Sequence, residues 1–178
     1  MQQGYIYILS ENIGSNFHPD FNPELDPKTL LKLGVFGGKY MNDCIDEFPS
    51  DWFKDASQSK QYKDIEKNFF KIDASMPLSH WNNKGWIYKD DPRGWFQWYC
   101  KYYLGRRTDD DSRQISRWNN FCGIKGRWRN YIYSKIYKKN TTINDLSFSL
   151  AVRQSLLHWA YKINDGDYEF WKMTNGYG

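Results

Sequence analysis

Three carboxylates in the stretch "NDCIDEF" have the types and spacing of a catalytic or metal-binding group. Asp43, Asp46 and Glu47 occupy positions i, i+3 and i+4, so a helix would place all three on one side. Such a cluster can bind Mg²⁺ or supply a general base with a raised pKa. A solvated acidic turn is the alternative. We take Asp43 and Glu47 as candidate catalytic residues, Asp43 first because it follows the Gly-Gly turn at 37–38.

Several arginines surround a predicted junction between two helices. Arg106 and Arg107 end one predicted helix, and Arg113 and Arg117 are i, i+4 neighbours on the next. Guanidinium groups gathered in this way bind phosphate or carboxylate in a bidentate manner. The alternative is that the aspartates at 109–111 neutralise them. The candidate phosphate-binding residues of this group are Arg93, Arg106, Arg107, Arg113 and Arg117.

A second basic region interleaves cations with aromatic rings. The stretch "KGRWRNYIYSKIYKK" at 125–139 contains Lys125, Arg127 and Arg129 among one tryptophan and three tyrosines. Bases of unpaired nucleic acid stack on such rings while Lys and Arg follow the phosphates, so this composition favours single-stranded or loop nucleic acid. The alternative is that the rings face the core and the basic residues surround the helix.

The histidine of "LLHWAY", His158, is a candidate acid–base residue. On an apolar helix face, a buried histidine that only makes hydrogen bonds is the alternative. Cys44, Cys100 and Cys122 lie outside any CxxC spacing and among aromatic residues, so we expect them to be small buried hydrophobic side chains. The glycines of "GVFGGKY" lack the strand–helix context of a phosphate-binding loop. The sequence therefore predicts neither a metal nor a cofactor.

The helix that must position the first arginines is the most aromatic stretch of the chain, "DDPRGWFQWYCKYYLGRR" at 90–107. Asp91 as N-cap, Pro92 at the first helical position and Gly105 after the last predict its ends. Large rings cover most sides of this helix, which predicts that it is the buried centre of the fold.

Weaker signals place the other elements. The segment "GYIYIL" at 4–9 predicts a strand, and Asp26 with Pro27 predicts a short helix that ends at Gly34. Further helices are expected over 112–122, 125–139 and 150–163, and the turn "NDGD" closes the last of them.

These elements predict a mainly α (α+β) fold. We expect a single compact domain, 1–178, of short helices around the central aromatic helix, with a small N-terminal strand or hairpin. Its expected parts are an N-terminal strand and extension at 1–33, a helical core at 34–163 and a C-terminal tail at 164–178.

Charge is distributed unevenly along the 178 residues. The formal net charge is +4, but residues 101–140 hold eleven Lys and Arg against three Asp and Glu, whereas residues 1–60 hold five against nine. A basic face of this kind favours a polyanion such as DNA or RNA as partner. The odd number of cysteines and the lack of a signal-peptide pattern or of a span of ~20 apolar residues predict a soluble, intracellular protein (cytoplasmic or nuclear) with no membrane partner.

Several motifs resemble those of a family of small, uncharacterised tryptophan-rich proteins. The similar stretches are "LGVFGGKYMNDCIDEFPSDWF", "PLSHWNNKGWIYKDDPRGWFQWYCKYYLGRR", "DSRQISRWNNF" and "RQSLLHWAY". In that family the pattern reads GVFxGKYxxDCxxEFPxxWF, DDPRGWFQWYCxYYxGRR and RQIxRW. The resemblance covers roughly residues 30–160 and implies a shared architecture, but it carries over no activity and no catalytic residue.

Three functions follow from these patterns. The first is a nucleic-acid-interacting helical domain that uses the basic, aromatic-rich surface of residues 93–139. The second is an enzyme acting on a phosphorylated or nucleotide-like substrate, with Asp and Glu facing Arg across one pocket. The third is a non-catalytic interaction or assembly subunit, because Tyr, Trp and Arg concentrate the binding energy of protein interfaces.

Overall fold

The most aromatic stretch of the chain forms the central helix of the fold. Nine of the ten residues of this helix, Trp95–Leu104, are buried. Phe21, from the N-terminal third, inserts edge-on against it, with ring centroids 5.7 Å from Tyr99 and 5.5 Å from Tyr102. Edge-to-face pairs of this kind contribute beyond the apolar area that they bury. The prediction of a central, buried aromatic helix is therefore confirmed.

The structure, a computed structural model, describes residues 5–39 and 41–177. Within these residues the fold is mainly helical, as predicted, and forms one compact domain around a single hydrophobic core. The α-helices are α1 (Pro27–Leu33), α2 (Leu78–Asn83), α3 (Trp95–Leu104), α4 (Asp111–Cys122), α5 (Arg127–Lys138), α6 (Leu150–His158) and α7 (Asp165–Thr174). Short 3₁₀ turns lie at Phe36–Gly38, Ile45–Glu47, Ser50–Trp52 and Ile65–Lys67.

Local signals set the ends of α1 as the sequence predicts. The Asp26 carboxylate accepts a hydrogen bond of 2.8 Å from the Thr29 N–H, and Pro27 follows at the first helical position. Gly34 ends the helix with φ of 94°, a left-handed value that favours glycine. This cap, start and stop are confirmed.

The predicted start of α3 is wrong. Asp91 does not cap the helix, because residues 91–94 form a separate turn in which the Gly94 N–H donates to the Asp91 carbonyl at 2.8 Å. The helix begins after this turn, at Trp95. The Asp91 side chain instead points into the protein and is fully buried, where cations from further along the chain surround it.

The strand predicted at 4–9 does not form in residues 5–9, and Gly4 lies outside the described residues. One isolated antiparallel bridge joins Leu9 to Arg106, and the part of the chain that the structure describes offers no second strand beside it. The segment is nonetheless extended and alternates. The Tyr5 and Tyr7 rings face buried cations, while Ile6 and Ile8 are 90% and 83% exposed.

The segment predicted as a tail contains helix α7. Asn164, expected in a closing turn, is its N-cap and accepts a hydrogen bond of 2.8 Å from the Asp167 N–H. Tyr168 and Trp171 lie three residues apart and are buried, and Tyr168 stacks on Tyr133 of α5 at 5.5 Å. The spacing of these two rings is the signal for the helix.

Candidate functional site

Helix α3 and the turn before it carry one polar stripe among their aromatic residues. Arg93, Gln97 and Lys101 follow one another at intervals of four. Arg93 forms a bidentate ion pair with Asp43, with Nε–Oδ1 and Nη2–Oδ2 distances of 2.8 and 2.6 Å. The Gln97 side chain accepts from the Arg93 N–H and donates to the Glu47 carboxylate, each at 3.0 Å. The stripe therefore aligns the two predicted catalytic carboxylates along α3.

The stripe continues into a buried charge cluster around Asp91. Lys101 Nζ lies 3.2 Å from Asp91 Oδ1 and 4.0 Å from Glu47 Oε2. Arg106 Nη2 lies 2.5 Å from Asp91 Oδ2, and its Nη1 donates to the Tyr5 hydroxyl at 2.9 Å. Burial raises the pKa of Asp91 and lowers that of Lys101, and the opposite charges act against both shifts. Burial of these charged groups costs desolvation energy, and the close ion pairs offset that cost.

We call the stripe and this cluster together the α3 charge network. Its members are Asp43, Glu47, Asp91, Arg93, Gln97, Lys101 and Arg106. Three cations meet three carboxylates in it, so its formal charge balances. Of the four arginines expected to face Asp43 and Glu47 across a pocket, only Arg106 belongs to the network, and it pairs with Asp91. Asp43 binds Arg93 instead, and Glu47 lies near Lys101. This arrangement favours the structural alternative for Arg93 and Arg106 over phosphate binding.

Arg107 fastens the N-terminal segment to the end of α3. Its Nη1 donates to the carbonyls of Tyr102 and Arg106 at 2.8 and 2.9 Å. Its Nη2 donates to the carbonyls of Ser15 and Asn16 at 3.0 and 3.1 Å. The guanidinium also lies 3.8 Å from the centre of the Tyr102 ring. These contacts give Arg107 a structural role.

Two further candidate arginines are paired with carboxylates. Arg113 binds Asp110 through two contacts of 2.5 and 2.8 Å. This agrees with the alternative in which the aspartates at 109–111 neutralise the arginines. Arg129 turns inward, where its Nη2 lies 2.9 Å from Asp167 Oδ1 and its guanidinium covers the Tyr161 ring at 4.9 Å.

The remaining candidates, Arg117, Lys125 and Arg127, differ from these. Among the described residues, no carboxylate oxygen lies within 4.0 Å of their charged nitrogens. Lys125 and Arg127 are exposed and Arg117 is half-buried. The charge of the exposed Lys125 and Arg127 is therefore available to an external anion.

Arg117 belongs to a continuous strip of partly exposed rings, which we call the aromatic strip. Its members, in order of contact, are Trp86, Arg117, Trp159, Phe121, Trp128 and Tyr131. The Arg117 guanidinium lies 5.8 and 5.5 Å from the ring centres of Trp86 and Trp159. Trp159 stacks on Phe121 at 5.0 Å and 18°.

The strip continues onto helix α5. Phe121 meets Trp128 at 6.1 Å, and Trp128 meets Tyr131 at 5.6 Å. All six members of the strip are half-buried or exposed. Segments far apart in the sequence therefore form one row of rings at the surface, in which Trp86 and Tyr131 are exposed and the other three rings are partly buried against the core.

Helix α5 has one buried face and one exposed face. Ile132, Tyr133 and Ile136 are fully buried on one face. The opposite face exposes Arg127, Tyr131, Lys135 and Lys138. Arg127 covers the Trp128 ring at 4.9 Å, and Lys135 lies 5.7 Å from the Tyr131 ring. Each of the two alternatives drawn from the sequence is therefore partly right. Tyr133 and Arg129 are buried in the core, whereas Arg127, Lys135 and Lys138 share the exposed face of α5 with Tyr131.

His158 is a core histidine. It is 4% exposed, its ring stacks on Phe36 at 4.1 Å, and the Phe36 N–H donates to its Nε2 at 3.2 Å. Burial lowers the pKa of His158 to about 3, so the ring is neutral. This environment favours the structural alternative over acid–base catalysis.

The three cysteines are free and buried, as expected of small hydrophobic side chains. Burial raises the pKa of the Cys44 thiol to about 12 and that of Cys100 and Cys122 well above the usual value.

Sequence reasoning missed two sets of residues. Trp86 and Trp159 lie outside the predicted surface at 93–139, and nothing local signals that they meet at Arg117. Gln97 and Lys101 could have been found, because polar residues at intervals of four on an otherwise aromatic helix indicate an internal polar stripe.

Comparisons of the chain with known protein families, curated proteins and solved structures give no match. The resemblance noted in the sequence therefore stays a prediction. Across residues 5–39 and 41–177, no helix combines the length and apolar character needed to cross a membrane. In the same residues, no group of three or more His, Cys, Asp or Glu side chains is arranged to hold a metal ion.

Proposed function

We propose that this protein binds unpaired nucleic acid, DNA or RNA, through the aromatic strip and the exposed face of helix α5. The observation that carries the proposal is the strip itself: five rings and Arg117 form one continuous row, and Arg127 and Lys135 lie over two of its rings. Bases stack on rings regardless of sequence, with a contribution of ~1–3 kcal/mol per base, while Lys and Arg pair with the phosphates.

The charge beside the strip supports the proposal more than the net charge does. Of the eleven basic residues at 101–140, several serve the protein itself, such as Arg106 and Arg129 in their buried ion pairs. Six have no carboxylate partner among the described residues, and all of these except the half-buried Arg117 are exposed. These six are Arg117, Lys125, Arg127, Lys135, Lys138 and Lys139. Arg117 is part of the strip, and Arg127 and Lys135 lie over its Trp128 and Tyr131 rings.

Fluorescence anisotropy with a labelled oligodeoxythymidine of about 12 nucleotides tests the proposal. We expect binding at low salt, with log K falling linearly with log salt by ~0.7 for each phosphate that is neutralised. The double variant Arg127→Glu with Lys135→Glu should weaken binding strongly, because it places two negative charges beside the strip.

Lys54→Glu is the control for charge. Lys54 is exposed and lies in the acidic N-terminal third of the sequence, away from the strip residues. Absence of binding at low salt, or equal weakening by the control and by a single Lys135→Glu exchange, would contradict the proposal.

A protein-interaction role is the second candidate, favoured by the N-terminal segment. Ile6 and Ile8 are almost fully exposed on an extended backbone, and extended apolar segments of this kind add to sheets of other chains. Ile6→Ser with Ile8→Ser should abolish any such association while leaving the stability of the fold unchanged. Sedimentation that shows the same species for both proteins at high concentration would argue against self-association.

The enzyme hypothesis has less support. Asp43 and Glu47 bind Arg93 and Gln97 within the α3 charge network, and Arg107, Arg113 and Arg117 make their contacts elsewhere. Two cavities of about 400 and 250 Å³ lie in the described part of the chain, and neither is lined by Asp43, Glu47 or His158.

A further inference from the structure

We propose that the gap between Trp86 and Trp159 is a binding slot for one nucleobase, which the Arg117 side chain fills while the protein is free. This inference rests on the proposed function and specifies where on the strip a base inserts. On binding, the base takes the place of the guanidinium between the two indoles, and Arg117 turns outward to a neighbouring phosphate.

The contacts of Arg117 identify it as a replaceable occupant. Its guanidinium lies over both indoles, 5.8 and 5.5 Å from their ring centres, so one planar cation contacts the two rings that would hold the base. Its Nη1 donates to Gln114 Oε1 at 2.9 Å and reaches the Trp86 carbonyl only at 3.5 Å. These contacts are few for a group with five N–H donors.

The electrostatic setting of Arg117 favours its release to an anion. The described residues place no carboxylate within 4.0 Å of it, whereas Arg113 on the same helix has Asp110. Burial, and then the nearby charge of Arg113, lower the pKa of Arg117 to about 10. A phosphate would therefore give Arg117 the counter-charge that its present position lacks.

One wall of the slot is firmly held. The Trp159 carbonyl accepts a hydrogen bond of 2.8 Å from Trp118 Nε1. The indole ring of Trp159 packs against Trp95 at 4.6 Å and against Phe121 at 5.0 Å. This indole is thus a fixed stacking surface joined to the core.

The other wall has freedom to adjust. Trp86 is 48% exposed and stacks on Trp81 of helix α2 at 5.4 Å and 13°. Helix α2, all of which the structure describes, contains no buried residue. Gly85 joins the helix to Trp86 with φ of 66°, a conformation that glycine adopts without strain. Rotation about this turn can change the width of the slot without disturbing the core.

The test compares two oligonucleotides of equal charge: oligodeoxythymidine of about 12 nucleotides, and the same length of abasic sugar-phosphates. Trp86→Ala should weaken binding of the first by about 5- to 150-fold, the range that loss of one base stack implies. It should leave binding of the abasic oligomer unchanged, and Trp86→Phe should restore most of the loss. Phe170→Ala removes an exposed ring on α7, outside the strip, and should change neither affinity.

Arg117→Met provides the second readout, because methionine fills space between the indoles but cannot bind phosphate. We expect the slope of log K against log salt to flatten by ~0.7 for oligodeoxythymidine. Trp86→Ala should leave that slope unchanged.

The outcomes separate the two proposals. If the native protein binds oligodeoxythymidine but Trp86→Ala has no effect, or weakens the abasic oligomer equally, the slot is wrong and the proposed function stands. An unchanged slope for Arg117→Met also overturns the slot. If the native protein binds neither oligomer, both proposals fail.

Discussion

Arg106 and Asp91 form an ion pair at 2.5 Å in which the two side chains are 1% and 0% exposed. The pair ties the turn before α3 to the residues after it. Since Arg106 also donates to the Tyr5 hydroxyl, the pair holds the N-terminal segment against the same helix. A buried pair of this kind costs desolvation energy, so its contribution is clearest when one partner is removed.

Removing one member of this pair should destabilise the fold severely. We expect Arg106→Met to lower the free energy of unfolding by about 3–5 kcal/mol, because it leaves the buried Asp91 carboxylate without its closest cation. Urea unfolding followed by circular dichroism measures the change.

Arg113→Met is the matched control, since Arg113 pairs with Asp110 while its side chain is 42% exposed. This variant should cost less than Arg106→Met, because the Asp110 carboxylate, 6% exposed, keeps its hydrogen bond of 2.8 Å from Gln114. Equal losses for the two arginines would show that burial of the Arg106 pair adds nothing.

Local patterns predicted both ends of α1, but they misplaced the start of α3 and the end of the helix predicted over 150–163, which ends at His158. The cap, proline and glycine of α1 act within one turn, so the sequence was sufficient there. The same Asp-Pro pattern did not predict the start of α3, because the Asp91 carboxylate pairs with Arg106, fifteen residues further along the chain. Tertiary packing decides which residue pairs with a buried charge, and rules that use only the local sequence do not include that information.

The candidate site shows the same division. The exposed face of α5 follows from helical spacing, and the basic residues there were predicted. The slot at Arg117 joins Trp86 to Trp159, seventy-three positions apart by their residue numbers. Each tryptophan alone is an unremarkable core candidate, and only the fold shows that one cation, Arg117, lies over both rings.

Burial of neutral His158 should make stability fall in acid. The pKa of His158 is lowered from its usual 6.5 to about 3, so between these values the unfolded chain binds a proton that the folded protein excludes. Stability from this residue is therefore complete above pH 6.5 and lost as the pH falls towards 3. At about pH 4.5 the loss should reach about 2–3 kcal/mol.

His158→Gln isolates this contribution, because glutamine carries no charge at any pH. The variant is expected to be less stable at neutral pH, since it loses the stacking on Phe36. Its stability should nevertheless decline less steeply than that of the native protein between about pH 6.5 and 4.5. Parallel curves for the two proteins over this range would refute the assignment.

The thiols should be unreactive in the folded protein. Cys100 and Cys122 are fully buried, and burial raises the pKa of Cys44 to about 12, so little thiolate forms near neutral pH. We expect a chromogenic thiol reagent at about pH 8 to modify the cysteines only as fast as the protein opens, and to modify all three at once in urea. A rapid initial phase in the folded protein would indicate an accessible thiol.

Helix α7 should contribute to the core although it lies where a tail was predicted. Trp171 is 7% exposed, its ring meets Tyr133 at 6.3 Å, and its Nε1 donates to Asn130 at 2.8 Å. Trp171→Ala should therefore lower the free energy of unfolding by about 3–5 kcal/mol. The adjacent Phe170 is 41% exposed, and Phe170→Ala should cost less than ~1 kcal/mol. Urea denaturation of both variants checks the contrast, and a loss below ~1 kcal/mol for Trp171→Ala would mean that α7 does not pack on α5.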